Sequence, residues 1–176
     1  MHEKILIPTD GSALGHVLMA SGVDLARSLG ASIVGFAVAP TFRQPLLAAA
    51  AGDHEAREHD YRSSTDRALE KLLKKMQAIA DQAGVPFVAS SVVSDHAARE
   101  IIDAAHRHHC DLIFMASHGR HGFARLFHRS ITAQVVAQSD IPVTVEQITP
   151  EAMARYNNAI DPFPWNAVHS RATRVS

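Results

Sequence analysis

The groups best suited to chemistry in this chain cluster between Asp111 and Thr132, in DLIFMASHGRHGFARLFHRSIT. Leu112-Ile113-Phe114-Met115 is an apolar run of the length of a fully buried strand. Ala116, Ser117, Gly119 and Gly122 break it, and helical spacing resumes at Arg129-Ser130-Ile131-Thr132. A strand that passes through a glycine-containing loop into a helix directs backbone N–H groups and a helix N-terminus at one spot, which suits an anion and most often a phosphate. Ser117, Gly119, Ser130 and Thr132 would supply hydroxyls and N–H groups to phosphate oxygens. Ser130 would serve equally as the cap of its own helix, with no ligand at all.

Other chemistries find less support. Twelve histidines are the compositional oddity. His106, His108 and His109 precede Cys110, and His118 and His121 flank the glycine loop, so the residue types suit a transition metal. His106 and His109 are three apart, but the helix breaks there and no acid stands at a recognised ligand spacing, so no specific metal site is expected. Cys110 reads as a small apolar residue at a strand entrance. No nucleophile with its base and no carboxylate pair within one loop stands out, so no catalytic set is expected. A phosphoacceptor receiver domain would need an acidic pair after the first strand, an Asp after the third and a Lys after the fifth. Thr9-Asp10, Val93-Ser94-Asp95 and Val145-Glu146 do not supply them.

The elements that must position the loop alternate regularly. Lys4-Ile5-Leu6-Ile7-Pro8 is a short buried strand, Thr9-Asp10-Gly11-Ser12 a turn, and Asp10 or Ser12 caps a helix that Gly30 ends. Ala31 to Ala39 is a second, near-continuous apolar strand, which implies a sheet covered on both faces. From Pro40 to about Glu58 the pattern dissolves into a long connection. Tyr61 to Ala83 follows as an amphipathic helix, with Leu69, Leu72, Leu73, Met76 and Ile79 in its apolar stripe. Val85 to Val93 is the third strand, Ser94 or Asp95 caps a helix from Ala97 to His108, and Asp111 to Met115 is the fourth. A helix from Ser130 to Gln138 leads to a fifth strand at Ile141 to Val145. The class is therefore α/β, a parallel sheet with helices on both faces, and its ligand site lies beyond the carboxyl ends of the strands where their order reverses. Pro8-Thr9-Asp10-Gly11 and Ala116-Ser117-His118-Gly119 are the loops that would flank it.

At 176 residues the chain holds one well-buried core and an appendage: a domain over residues 1–147 and a C-terminal arm over 148–176, carrying Phe163 and Trp165. A net charge of -1 gives no basic face for nucleic acid. No apolar stretch reaches the roughly 18 residues of a membrane span, and the start lacks the sections of a signal peptide. A single cysteine forms no internal disulfide, so a reducing, cytoplasmic location is expected.

Four passages in this order, KILIPTDGS, ARSLGASIVGFAVA, DLIFMASHGRHGFARLFHRSIT and SDIPVTV, make the chain resemble a universal stress protein from about Glu3 to Gln147. The resemblance implies an open five-stranded parallel sheet in the order 3-2-1-4-5, a stress-response role and a homodimer paired through the Ile141–Val145 edge strand. Its ATP-binding members share a Gly, two residues, a Gly, nine residues, then Gly-Ser or Gly-Thr, and these places fall at Ala116, Gly119, Arg129 and Ser130. Two of the three motif glycines are thus replaced. The implied contacts to ATP, with magnesium, are Pro8, Thr9, Asp10, Val38, Met115, Ala116, Ser117, His118, Gly119, Arg129, Ser130, Ile131 and Thr132. Asp10 would meet the ribose end and Val38 the adenine. Arg129 would either fill the phosphate pocket or grip a phosphate with its guanidinium. The resemblance allows at most a slow ATPase. Two functions follow, an adenine-nucleotide switch and an interaction module that has lost its nucleotide.

Overall fold

The most apolar strands of the sequence lie at the centre of the sheet and are its most deeply buried part. The computed structural model describes residues 3–42, 54–117 and 130–148. β1 (Lys4–Thr9), β2 (Ser32–Ala39), β3 (Phe87–Val93), β4 (Leu112–Ser117) and β5 (Val143–Gln147) form one parallel sheet in the order β3-β2-β1-β4-β5. This bears out the expected order. Helices α1 (Ala13–Leu29), α2 (His54–Gln82), α3 (Ala97–Arg107) and α4 (Ile131–Gln138) connect or follow them. Successive strand residues face opposite ways, and two apolar cores result. Ile5, Ile7, Ile33 and Phe114 pack with α1 and α2 on one face, while Leu6, Val34, Ile113 and Met115 pack with α3 and with Val135 of α4 on the other.

Local signals explain most element boundaries. Ser12 caps α1, its Oγ accepting from the Gly15 N–H at 3.3 Å, and Gly30 ends the helix at φ 67°. Glycines let the layers approach. A Cβ at Gly22 of α1 would overlap Ile7 Cδ1 and lie 3.2 Å from Phe114 Cδ1. A Cβ at Gly35 of β2 would overlap the tip of the Phe87 ring and lie 2.6 Å from its Cε2 and 3.0 Å from the Met76 methyl.

Several boundaries move from their expected places. α2 begins at His54 rather than Tyr61, within the stretch expected to be a connection. HEAREHD lacks apolar periodicity but is built largely of good helix formers, and the Arg62–Glu58 pair at 2.6 Å adds a little support one turn on. β3 begins at Phe87 rather than Val85, because the Val85 N–H still donates to Ala80 O at the end of α2. β5 is shifted to Val143–Gln147, because Ser139 Oγ both donates to Ile141 O and accepts from its N–H, holding Ile141 in a turn. The N-cap of α3 is His96, with no side-chain cap bond, so neither Ser94 nor Asp95 caps it. Ser94 Oγ accepts from the His96 N–H instead, and Asp95 is engaged by Thr41. His118, Gly119, Arg129 and, apart from Ile148, the expected arm lie outside the described residues.

Gly35→Ala should lower the unfolding free energy by about 1–3 kcal/mol in a denaturant titration, since the methyl must displace an aromatic ring inside the α2 face. Adding Phe87→Leu should recover part of that loss, because the shorter side chain leaves room for the methyl.

Candidate functional site

β1 and β4 are neighbours, yet their ladder covers Ile5↔Leu112 and Leu6↔Ile113 while β1 continues to Thr9 and β4 to Ser117. Their carboxyl ends therefore run on without pairing to each other. This is also where the strand order reverses, the position at which open α/β sheets leave a crevice.

The two-residue period of the strands sorts the expected site residues by face. Leu6, Val38, Ile113 and Met115 belong to the α3/α4 side, so Pro8 and Ser117, an even number of residues along, point there too. Thr9 and Ala116 point the opposite way, toward α1 and α2. The Thr9 side chain is buried, and its Oγ1 accepts from the Gly11 N–H at 3.1 Å. Gly11, at φ 77°, turns the chain from β1 into α1. Asp10 is exposed beside it, with Oδ1 accepting from the Ser12 N–H at 2.9 Å. Thr9 pairs with Ala37, so Val38 lies level with Asp10.

On the β4 side, the Thr132 hydroxyl donates to Ala116 O at 3.1 Å and fastens the first turn of α4 to the end of the strand. Ser130 is the N-cap, its Oγ accepting from the Ala133 N–H at 3.4 Å. The first N–H groups of a helix have no partner within it. α4 therefore presents the N–H groups of Ile131 and Thr132 at the crevice, with the positive end of the helix dipole behind them. Asp10, Val38, Ser117, Ser130 and Thr132 thus lie near the carboxyl ends of β1, β2 and β4, and Met115 is buried in β4 two residues before Ser117. Ile131 is 44% exposed. Thr9 and Ala116 reach the crevice through backbone rather than side chain.

A brace beside the crevice was not expected. The Thr41 N–H and Oγ1 both donate to the Asp95 carboxylate, at 3.1 and 2.6 Å, and clamp the exit of β2 to the exit of β3. The Tyr61 hydroxyl donates to Pro40 O at 2.7 Å, and its ring rests against Phe42 with centroids 5.4 Å apart. Burial pushes the Tyr61 phenol above its usual range; the Thr65 hydroxyl opposes this and the Asp95 charge adds to it. The only sequence signal for the brace was an acid after β3, which suits a helix cap equally well.

The histidine-rich stretch lies at the opposite end of the sheet. α3 ends at Arg107, and His109 adopts φ 55°, so His106 and His109 do not share a helix face. His106 Nε2 instead meets Asp140 Oδ1 at 2.9 Å, joining the end of α3 to the turn before β5. His108 is held below the usual imidazole range, chiefly by burial and then by the charges of Arg107, Lys4 and His109. Among the described residues, no three His, Cys, Asp or Glu side chains converge as metal ligands. Nor is any helix among them long and apolar enough to cross a membrane. Cys110 is buried, and burial pushes its thiol up to about 11.

The universal stress protein family model matches residues 1–146. A universal stress protein of Methanocaldococcus jannaschii is 26% identical over 146 residues, 82% of each chain. A crystal structure of a universal stress protein family member from Burkholderia pseudomallei superposes with a TM-score of 0.61 at 21% identity, over 82% of this chain and 95% of that one. A universal stress protein in complex with cAMP superposes with a TM-score of 0.59 at 15% identity, over 83% and 97%.

Native Cys110 should resist a thiol reagent at pH 8 and react fully in denaturant, because the thiolate is the nucleophile. Burial favours the neutral thiol, so its contribution to stability is complete below the ordinary thiol range near 9 and is lost as the pH rises toward 11. Cys110→Ala should therefore show a smaller loss of melting temperature than wild type between those values.

Proposed function

The chain belongs to the universal stress protein family, and from that premise we propose that it is a stress-response protein switched by an adenine nucleotide. The nucleotide would bind at the carboxyl ends of β1 and β4. The observation that carries this reading is the Thr132 bond to Ala116 O, which sets the first turn of α4 beside two strands that have stopped pairing. The family relative bound to cAMP supports an adenine nucleotide as the class of ligand. Phosphate oxygens would take the N–H groups of Ile131 and Thr132 and the hydroxyls of Ser117 and Ser130. The ribose end would meet Asp10, and the base would lie near Val38. Magnesium accompanying ATP would draw most of its ligands from phosphate and water.

Replacement of two motif glycines motivates the competing function, an interaction module without nucleotide. Burial of Ala116 favours the first. Its side chain is 9% exposed and belongs to the α1/α2 core, the face turned away from α4, so the extra methyl fills core rather than crevice. Arg129 then separates the two readings. The working unit is read as residues 1–147, with 148–176 as an appended arm.

Titrating ATP with magnesium into the protein by calorimetry should give a binding isotherm, and saturating ATP should raise the melting temperature. At a hundredfold excess over Kd, ligand adds about 2.7 kcal/mol to the native state. Thr132→Val and Asp10→Ala should weaken binding, whereas Ala116→Gly should lower stability and leave affinity unchanged. A flat isotherm in wild type, with binding restored by Arg129→Gly, would favour the interaction module instead.

The same reading places a homodimer contact on β5. The Ile113 N–H donates to Pro142 O and the Ile148 N–H to Ser117 O, so the even-numbered residues face β4. Val143, Val145 and Gln147 then carry their backbone groups on the open edge. Val145→Pro removes only an outward N–H, and it should convert the dimer to a monomer in sedimentation velocity with nucleotide binding intact.

A further inference from the structure

The other border of the sheet, β3, also bears a pairing surface, and we infer that a second copy of this chain adds to it as an antiparallel strand about a two-fold axis at Ser90. This inference is independent of the nucleotide site and of pairing through β5.

Among the described residues β3 is an edge strand of seven residues, Phe87–Val93 in the sequence FVASSVV, with no charge, proline or bulge to blunt it. Natural edges of that length are usually protected by such devices or covered by another chain. Val88 and Val93 of β3 are 48% and 44% exposed, two of the four large hydrophobics left open among the described residues.

The direction of the free backbone groups follows from the β2–β3 ladder. The Ile33 N–H donates to Pro86 O and the Ser94 N–H donates to Ala39 O, so even-numbered residues of β3 face β2. In a strand, the N–H and C=O of one residue point to the same side and alternate along the chain. Phe87, Ala89, Ser91 and Val93 therefore present both groups outward.

The occupant is identified by self-complementarity. An isologous contact pairs each residue with its mirror position about the axis. With the axis at Ser90, Ala89 faces Ser91 of the second copy and Phe87 faces Val93, and both are pairs whose groups point outward. Val88 faces Val92, and Ser90 faces Ser90, in the closer pairs without hydrogen bonds. Small residues meet small ones, apolar residues meet apolar ones, and no like charges are opposed. Both exposed valines gain an apolar neighbour across the strand on their own face of the sheet.

The two Ser90 residues would stand as a non-hydrogen-bonded antiparallel pair, with Cα atoms about 4.5 Å apart. That lies within the range of about 4.4–6.8 Å that a disulfide spans. In a Val145→Pro background, which removes any β5 contact, Ser90→Cys should form a covalent dimer under mild oxidation at high protein concentration. Ser91→Cys, whose own counterpart is two positions out of register, should form much less. Native Cys110 is buried and should contribute nothing. Without added cysteines, Ser91→Pro should abolish the residual self-association of the Val145→Pro protein in sedimentation equilibrium, at unchanged melting temperature. Equal crosslinking of the Ser90→Cys and Ser91→Cys proteins would overturn the inference. So would a Val145→Pro protein that stays monomeric at high concentration, or self-association that survives Ser91→Pro in a folded protein.

Discussion

Burial of β1 and β4 on both faces at once is the constraint from which the rest of the molecule follows. Ile5, Leu6, Ile7 and Ile113 are all fully buried, so each strand needs one helix layer above it and another below. Crossovers between parallel strands are almost always right-handed, so strands added in one direction cover one face only. Chain order and sheet order then cannot coincide, and the reversal falls between the same two strands. The deepest part of the core and the opening at its upper end are two results of one arrangement.

That arrangement also divides side chains between support and function. At the crevice, alternate residues of a strand point into different layers, so Thr9 and Ala116 serve the α1/α2 core while Val38 and Ser117 face α4. The hydroxyls are divided in the same way. Thr9 Oγ1 shapes the turn into α1 and Thr132 Oγ1 anchors α4, so both hydroxyls are engaged within the protein.

The strands and the position of the loops were legible because the apolar runs are continuous and the turns carry Gly and capping residues, whereas the order of the strands came from the family resemblance. KILIP, SIVGFAVA and LIFMAS leave little choice of element. The start of α2 was not legible, since HEAREHD owes its helix to propensity rather than to periodicity. The true role of Asp95 was hidden as well, because an acid before a helix looks like a cap until the distant Thr41 is brought against it. The same holds for His106, whose partner Asp140 lies on another element. Motif comparison shows only that Ala116 replaces a glycine, and the face of the strand on which it lies shows that its methyl fills the core.

The brace at the exits of β2 and β3 has a consequence for how such a chain can change. Thr41 is held by Asp95, Phe42 touches Tyr61, and the Tyr61 hydroxyl reaches back to Pro40, so the chain on either side of residues 43–53 is tied together independently of what lies between. The entropy of closing a loop grows only with the logarithm of its length. Sequence inserted or exchanged at that point would therefore perturb the sheet little. The brace lets one scaffold accept different connections between β2 and α2 while the sheet beside them stays the same.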